Sequence, residues 1–287
     1  MKIIDPHLHL FDLEQGEYHW LNDNNPPFWP DKHKIAKNFN AQDLTLPPSM
    51  SLQGIIHIEA GFDNQRPWRE IDWLESNYQT SLAYPVRTIA AIDLTLPCDT
   101  FDVLISDLCK YKSVVGFRHI LDRQAQHILS LEQVQKNLIK IADHAKIFEC
   151  QLALTDTPAV NLLLDILDKA ANLKVIISHA GCVVINDENH LTWYHNMQAL
   201  AAFDQVVIKA SGWEMIDRDY KASYVQHAVE CLIDLFSINR VMLASNFPLC
   251  LFSCSYADLW HSYAELDFSA QQKKKLLYLN AKKHYQL

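Results

Sequence analysis

Short hydrophobic runs and amphipathic stretches follow one another along most of this chain. The runs are rich in valine, isoleucine and aromatic residues, and their length of about five to seven residues is that of buried strands. We therefore predict eight strands, over Lys2–Asp5, Gln53–Glu59, Val86–Ile92, Val114–His119, Phe148–Leu154, Lys174–Ser178, Val206–Lys209 and Val241–Ser245.

The stretches between the runs carry apolar residues at the spacing of a helix that buries one face. They predict helices over Pro67–Ala83, Asp99–Tyr111, Leu131–Lys146, Ala159–Ala171, Leu191–Phe203, Tyr220–Phe236, Ser255–Leu266 and Ser269–His284. Strands that alternate with helices are parallel and joined by crossovers, which is typical of the α/β class. A doubly wound open sheet shows the same alternation, but eight strands favour a single (β/α)8 TIM barrel over residues 1–287.

Residues 11–52 interrupt this alternation. The segment follows the first strand and contains Trp20, Phe28 and Trp29 among several prolines. In a barrel it leaves from the C-terminal ends of the strands, where active sites are built, and long irregular insertions are often functional. We predict a loop insertion that forms a lid or wall over the barrel mouth. A surface strap packed by its aromatic residues is the alternative, and both can be true.

Composition narrows the possible partners. The formal net charge is -9 and there is no basic run, which argues against nucleic acid and anionic membranes. The N-terminus lacks the basic-then-apolar pattern of a signal peptide, and no apolar stretch approaches the length of a membrane span. The seven cysteines are scattered without a CxxC pair, so we expect reduced thiols in a cytoplasmic protein.

The candidate chemistry begins at the histidine pair His7 and His9. Alternate residues of an extended chain point to the same side, so both imidazoles project together from the end of the first strand. Two such imidazoles can share one metal ion or one substrate group. A chance spacing of two among 14 histidines is the ordinary alternative.

Polar residues recur where the predicted strands end, and in a barrel these positions converge on one mouth. They are His7, His9, Glu59, Asp93, Arg118, His119, Gln151, His179, Lys209 and Asn246. Ordinary roles exist for each one: Asp93 can cap a turn, Lys209 can be solvated, and Arg118 can pair with a carboxylate. Three histidines from two strands are nevertheless enough for a mononuclear metal site or a proton-relay cluster.

Six segments along the chain form a recognisable series. They are Ile4-Asp5-Pro6-His7-Leu8-His9, Gly116-Phe117-Arg118-His119-Ile120-Leu121, Ile177-Ser178-His179-Ala180-Gly181, Ile208-Lys209-Ala210-Ser211-Gly212, Arg240-Val241-Met242-Leu243-Ala244-Ser245-Asn246-Phe247-Pro248, and Leu279-Asn280-Ala281 with Tyr285. In this order they resemble motifs of the amidohydrolase superfamily, and within it the amidohydrolase-2 type lactonases. That group includes lactonases of sugar acids and of 2-pyrone-4,6-dicarboxylate.

The resemblance implies a hydrolase in which water attacks a lactone carbonyl, through general-base catalysis and electrostatic stabilisation of the oxyanion. The candidate catalytic residues are His7, His9, His179, Asn246 and Glu59. The candidate substrate-binding residues at the mouth are Arg118, His119, Lys209, Asp93 and Gln151. The histidines would polarise the carbonyl or bind a metal.

Asn246 departs from the family pattern, which has an aspartate there as the base. An amide is neutral and cannot act as a base at ordinary pH. Three outcomes stay open: another group such as Glu59, Asp93 or a histidine takes over, a metal activates the water, or hydrolysis is lost and a binding pocket remains. Glu59 stands where related sequences often have glutamine, so its carboxylate is a candidate replacement. Ser178, in place of the aspartate before His179, is a second departure.

The same resemblance leaves a metal optional. The lactonase branch often works without a divalent metal, and the fourth and fifth strand ends lack the modified lysine of two-metal relatives. One zinc ion on His7, His9 and His179 is the alternative, although Asn246 cannot supply an anionic fourth ligand.

We therefore expect an enzyme that opens a small lactone, with an acidic or polyhydroxylated substrate that suits the cationic mouth. A binding protein on the same fold and a metal-dependent decarboxylase are the alternatives. Asn246 favours the binding protein and counts against the decarboxylase. The sequence specifies neither the substrate nor the oligomeric state.

Overall fold

The computed structural model describes residues 1–183 and 188–287. Eight parallel strands form one sheet in sequential order. They are β1 Lys2–Leu8, β2 Ser51–Ile58, β3 Val86–Ala91, β4 Val114–Ile120, β5 Ile147–Gln151, β6 Lys174–Ile177, β7 Val206–Ala210 and β8 Val241–Leu243. All eight predicted strands are confirmed, with ends that differ by a few residues.

Contacts just beyond β8 bring the last strand back to the first. Asn246 N donates to His7 O at 2.9 Å. The buried carboxylate of Asp5 accepts hydrogen bonds from Ser245 N at 3.1 Å and from Ser245 Oγ at 2.5 Å. The sheet thus curves into a nearly closed TIM barrel, whereas a doubly wound open sheet would leave β1 and β8 apart.

Helices surround the barrel. They are α1 Trp68–Tyr78, α2 Cys98–Leu108, α3 Ala125–Ser130, α4 Glu132–Asp143, α5 Thr157–Lys169, α6 His190–Ala201, α7 Trp213–Ile216, α8 Ala222–Phe236, α9 Tyr256–Glu265, α10 Ala270–Lys274 and α11 Asn280–His284. A π-helical turn, Lys275–Leu279, divides the predicted last helix into α10 and α11, and the short helices α3 and α7 were not predicted. Across residues 1–183 and 188–287, no helix is long and apolar enough to cross a membrane. The seven cysteines are free thiols, as expected.

Side-chain caps explain where some helices begin. The carboxylate of Asp156 accepts from Ala159 N at 3.1 Å, and Pro158 occupies the first turn of α5. Ser255 Oγ accepts from Asp258 N at 3.1 Å at the start of α9. Such caps satisfy backbone N–H groups that have no partner within the helix.

The lower part of the barrel interior is a layer of apolar side chains. Its members are Ile4, Ile56, Ile58, Ile89, Ile147, Ile176, Val207 and Met242. Ala281 of α11 and the neighbouring Tyr285 pack against this layer. The layer fills the barrel as a core, so polar chemistry is confined to the C-terminal ends of the strands.

An irregularity in β1 decides which way its histidines point. The register against β2 shifts between Ile3 and Asp5 and again between Asp5 and Leu8. A bulge of this kind changes the alternation of side chains between the two faces. Ile4 and His7 therefore both reach the barrel interior, although strict alternation would place them on opposite faces.

The insertion of residues 11–52 contacts the loops that follow β7 and β8. Asp31 pairs with Arg218 beyond α7 at 3.0 Å. The ring of Trp29 packs edge-on against Phe252 beyond β8, with 5.6 Å between centroids. These contacts hold the insertion on the same end of the barrel as the predicted strand-end residues.

Candidate functional site

Three imidazoles meet at the C-terminal end of the barrel. The ring centroid of His7 lies 5.1 Å from that of His9 and 4.5 Å from that of His179. His7 and His9 are buried, and His179 is partly buried. The structure therefore brings together the three histidines that the sequence singles out.

The histidines are uncharged at neutral pH. Burial lowers the pKa of His7 and His9 well below the usual value, and the cations Lys209 and Arg118, respectively, add to that effect. Burial, with Arg118 and Lys209, lowers the pKa of His179 to about 3. Neutral imidazoles have one donor and one acceptor nitrogen each, so their neighbours decide which nitrogen faces a ligand.

His9 and His179 are oriented by groups behind them. Nδ1 of His9 donates to the carbonyl oxygen of Ile58 at 2.8 Å, which leaves Nε2 as the acceptor. Nδ1 of His179 lies 3.0 Å from the hydroxyl oxygen of Ser211. Both rings are thus fixed by hydrogen bonds from one edge and present the other edge to the mouth.

His7 is oriented by a buried ion pair. Nζ of Lys209 lies 2.7 Å from Oε1 of Glu149 and 3.4 Å from Nδ1 of His7. Burial lowers the pKa of Lys209 to about 8, against the opposing effect of Glu149, so the ammonium form prevails at neutral pH. An ammonium group only donates. Nδ1 of His7 is therefore the acceptor and Nε2 carries the proton.

Nε2–H of His7 is an unsatisfied donor. It is buried and has no hydrogen-bond partner among residues 1–183 and 188–287. Buried donors in native proteins are nearly always paired with protein, water or ligand. This atom therefore marks the place where an acceptor oxygen of a bound molecule is expected.

Arg118 forms the cationic wall of the cluster. Nε lies 2.8 Å from Oε1 of Glu59, Nη2 donates to Glu59 O at 2.6 Å, and Nη1 donates to Gln151 Oε1 at 3.1 Å. A guanidinium has five N–H groups, so three contacts leave donors available. Glu59 holds Arg118 in place, and Gln151 joins the same cluster.

Asn246 is paired with a carboxylate that the sequence did not indicate. Its Nδ2 donates to Oε1 of Glu214 at 2.5 Å, and both side chains are buried. Glu214 belongs to α7, which begins directly after the Lys-x-Ser-Gly segment of β7. Burial raises the pKa of Glu214 to about 7, although the bond from Asn246 opposes the shift.

His119 and Asp93 lie apart from this cluster. Side chains of neighbouring strand residues point to opposite faces, so His119 faces away from Arg118. Its Nδ1 lies 3.7 Å from Oδ1 of Asp93 and accepts from Leu94 N at 3.1 Å. Asp93 also accepts from Thr95 N at 2.8 Å, as a turn cap does. Their predicted role in substrate binding stays a prediction.

Sequence reasoning missed Glu149, Ser211 and Glu214. Glu149 stands two residues before Gln151 on β5, so the two-residue period of a strand could have placed it on the same face. Ser211 belongs to the motif Ile208-Lys209-Ala210-Ser211-Gly212, but the motif alone gave its hydroxyl no function. Glu214 had no comparable signal, because α7 was not predicted.

The donor set does not fit a resident zinc ion. Nε2 of His7 carries a proton while Lys209 donates to Nδ1, and a zinc ligand needs a free lone pair. Nδ2 of Asn246 is directed at Glu214, and position 246 offers no carboxylate. In the part of the chain that the structure describes, no group of three or more histidine, cysteine, aspartate or glutamate side chains could hold a metal ion.

The fold and the polar cluster at its C-terminal end define an enzyme-type (β/α)8 barrel. The chain belongs to the amidohydrolase family, since the family model Amidohydro_2, described as Amidohydrolase, matches residues 4–287. The recognition of this family from sequence motifs is thereby confirmed.

Two sequence relatives differ in how much of the chain they match. The uncharacterized protein y4mH of Sinorhizobium fredii is 26% identical over 300 residues, covering 100% of this chain and 99% of that protein. L-Fucono-1,5-lactonase of Burkholderia multivorans is 32% identical over 119 residues, which is 36% of this chain and 39% of that enzyme.

Solved structures share the fold. An amidohydrolase from Burkholderia multivorans with bound zinc has a TM-score of 0.79 at 19% identity, with 100% of each chain covered. A 5-carboxyvanillate decarboxylase from Novosphingobium aromaticivorans complexed with manganese has a TM-score of 0.68 at 13% identity, covering 99% of this chain and 96% of that one. At these identities the likeness shows the fold alone.

Proposed function

We propose that this protein hydrolyses a small lactone by attack of water on the ring carbonyl. The observation that carries the proposal is the buried, unpaired Nε2–H of His7. It lies among neutral imidazoles, with the ammonium of Lys209 on the other side of the ring. A preorganised donor of this kind stabilises an oxygen that gains negative charge.

Each residue of the cluster has a separate role in this reaction. Nε2–H of His7 donates to the carbonyl oxygen, and Lys209 stabilises the charge that this bond draws onto the ring. His9 and His179 border the carbonyl from either side. As the water oxygen bonds to the carbonyl carbon, the ring C–O bond breaks and the ring oxygen takes up a proton, which leaves a hydroxy acid.

The substrate we propose carries a carboxylate or several hydroxyl groups. Arg118 has N–H groups left after its contacts with Glu59 and Gln151, and a guanidinium binds a carboxylate with two parallel bonds. The partial likeness to L-fucono-1,5-lactonase supports a lactone of a sugar acid. We further propose that residues 11–52 form the wall that covers this bound molecule.

The test is proton release from a panel of sugar-acid and dicarboxylate lactones, before and after treatment with a chelator. We expect turnover that survives the chelator and falls by at least about 100-fold in His7→Phe, which keeps an aromatic ring but no donor. His119→Phe is the matched control on β4, where we expect a smaller effect. No turnover on the whole panel would overturn the proposal.

A second candidate is a binding protein that has lost catalysis, and Asn246 in place of a carboxylate favours it. It predicts that a lactone or its hydroxy acid binds and is not converted. A decarboxylase is the third, since a decarboxylase shares the fold. Carbon dioxide release and a tightly bound stoichiometric metal would support it.

A further inference from the structure

Glu214 is a buried carboxylate without an ion pair of its own in the described residues. It is 2% exposed, and its side chain meets the amide of Asn246 at 2.5 Å. The nearby Arg218 uses its guanidinium on Asp31 at 3.0 Å and on the backbone carbonyl of Glu214. Burial of a carboxylate without a paired cation is costly, and its position beside Asn246 therefore calls for an explanation.

Apart from one arginine, the ionisable groups that face this carboxyl are uncharged. The titratable groups that face it are Arg218, Tyr220, Cys250, Cys254 and Tyr263. Burial raises the pKa of both thiols and both phenols, so only Arg218 carries a charge. Because burial outweighs Arg218 and the bond from Asn246, the pKa of Glu214 is about 7. The group thus exchanges a proton in the range where a general base works best.

The amide beside it has a fixed orientation. The ionised form of Glu214 only accepts hydrogen bonds, so with this form the nitrogen end of the Asn246 amide faces Glu214 and the oxygen end faces away. The backbone of Asn246 is joined to His7 O at 2.9 Å. Asn246 therefore contacts Glu214 through its side chain and His7, whose Nε2–H is the donor of the site, through its backbone.

We propose that Glu214 is the base that accepts the proton of the attacking water, with its carboxylate held in place by Asn246. This inference rests on the hydrolysis proposed above. The water oxygen forms a bond to the carbonyl carbon while its proton passes to the carboxylate of Glu214. The ring C–O bond then breaks, and the same proton passes to the ring oxygen. The carboxylate is regenerated, and the product is a hydroxy acid.

The test compares kcat, KM and the pH profile of kcat/KM on the lactone that the panel identifies. In Glu214→Gln we expect kcat to fall by at least about 100-fold with KM changed by less than about threefold. The rise of kcat/KM with a midpoint near pH 7 is expected to disappear with it. Glu59→Gln is the matched control, because it removes another buried carboxylate of the cluster, the one that holds Arg118. We expect a higher KM there, through Arg118, and an unchanged rise with pH.

A double variant exchanges the carboxylate of Glu214 and the amide of Asn246. Asn246→Asp combined with Glu214→Gln places the carboxylate at the end of β8, and we expect at least about tenfold recovery of kcat over Glu214→Gln alone. Asn246→Asp alone puts two carboxyls within hydrogen-bond distance. They would share a proton, so the rise of kcat/KM is expected to move to higher pH.

Wild-type turnover separates the two claims. If wild type is active and Glu214→Gln keeps its kcat within about threefold and its pH rise, the role of Glu214 is overturned and hydrolysis stands. If wild type converts no lactone, the hydrolysis fails and this inference falls with it. Should Glu214→Gln not fold by circular dichroism, Glu214→Asp decides: a loss of kcat of at least about tenfold supports the role, and an unchanged kcat overturns it.

Discussion

Ser211 positions His179 through a hydrogen bond of 3.0 Å from its hydroxyl oxygen to Nδ1 of the ring. The next residue, Gly212, lies against the same ring, since a Cβ at that position would be 2.9 Å from Nδ1. His179 itself has a left-handed backbone, with φ 54. The segment that supplies Lys209 from β7 thus also fixes the direction of His179 and the space around it.

Gly212→Ala is expected to displace His179. The backbone of Gly212 has φ +77, which strains an L residue, and the new methyl group would press on the imidazole. Gly61→Ala is the matched control, because Gly61 has φ +74 but its Cβ would meet Trp20 instead. We expect each substitution to lower the free energy of unfolding by about 1–2 kcal/mol, as urea denaturation measures. Only Gly212→Ala should shift the NMR signals of the His179 ring; equal spectra would refute the contact.

Lys209→Met should destabilise the protein because it leaves the carboxylate of Glu149 buried without its cation. Removal of one partner of a buried ion pair costs about 3–5 kcal/mol. Adding Glu149→Gln removes the stranded charge, and we expect about half of that loss to be recovered. Urea unfolding of both variants measures the difference. Equal losses in the single and double variants would show that the buried charge is not the cause.

Asp31→Asn should loosen the insertion of residues 11–52. The pair with Arg218 is partly exposed, at 18% for Asp31 and 31% for Arg218, so it contributes at most about 1 kcal/mol. That corresponds to about a fivefold increase in opening, and in the rate of limited proteolysis within the insertion. Asp23→Asn, in an exposed part of the same segment, is the control. Equal cleavage rates in the two variants would show that the ion pair does not hold the insertion in place.

His284 should make the protein sensitive to acid. Burial and the nearby Lys174 lower the pKa of His284 to about 4, below the value of about 6.5 in an unfolded chain. The unfolded state therefore binds the proton first, so stability is complete above pH 6.5 and is lost as the pH falls towards 4. From these values, His284→Gln should remove about 2 kcal/mol of the loss between pH 7 and pH 5.

Urea unfolding at pH 7 and pH 5 measures this difference. Glutamine keeps a donor for Asn239 O, which Nε2 of His284 contacts at 3.1 Å. His144→Gln, at an exposed position, is the control for the loss of one imidazole. The prediction fails if wild type and His284→Gln lose the same amount of stability between the two pH values.

The barrel could be predicted from sequence because its signal is repeated. Strands buried on both faces read as hydrophobic runs, and the helices between them bury one face, so every unit adds the same evidence. The strand-end residues His7, His9 and His179 followed from that pattern. Arg118 and His119 show its limit: one motif contains both, but the alternation along β4 sends their side chains to opposite faces.

The surroundings of those residues were harder to predict. Glu214 meets Asn246 because α7 packs beside the turn Leu249–Phe252 that follows β8, and no local pattern encodes that packing. The proton on Nε2 of His7 likewise depends on Lys209. His7 lies on β1 and Lys209 on β7, and closure of the barrel brings the two side chains together. Local sequence thus identifies candidates for the barrel mouth, whereas tertiary contacts decide which of them meet there and set their charge and hydrogen-bonding roles.

Tyr285 lies after the last strand, and its side chain contacts the buried ion pair of Glu149 and Lys209. Its hydroxyl donates to Oε1 of Glu149, and Nζ of Lys209 lies 5.2 Å from the centre of its ring. The ribosome adds this tyrosine only after all eight strands have been made. A nascent chain that ends before residue 285 contains all eight strands but lacks the hydroxyl that donates to Glu149. The surroundings of the charge behind His7 are thus completed by a residue that lies after the last strand.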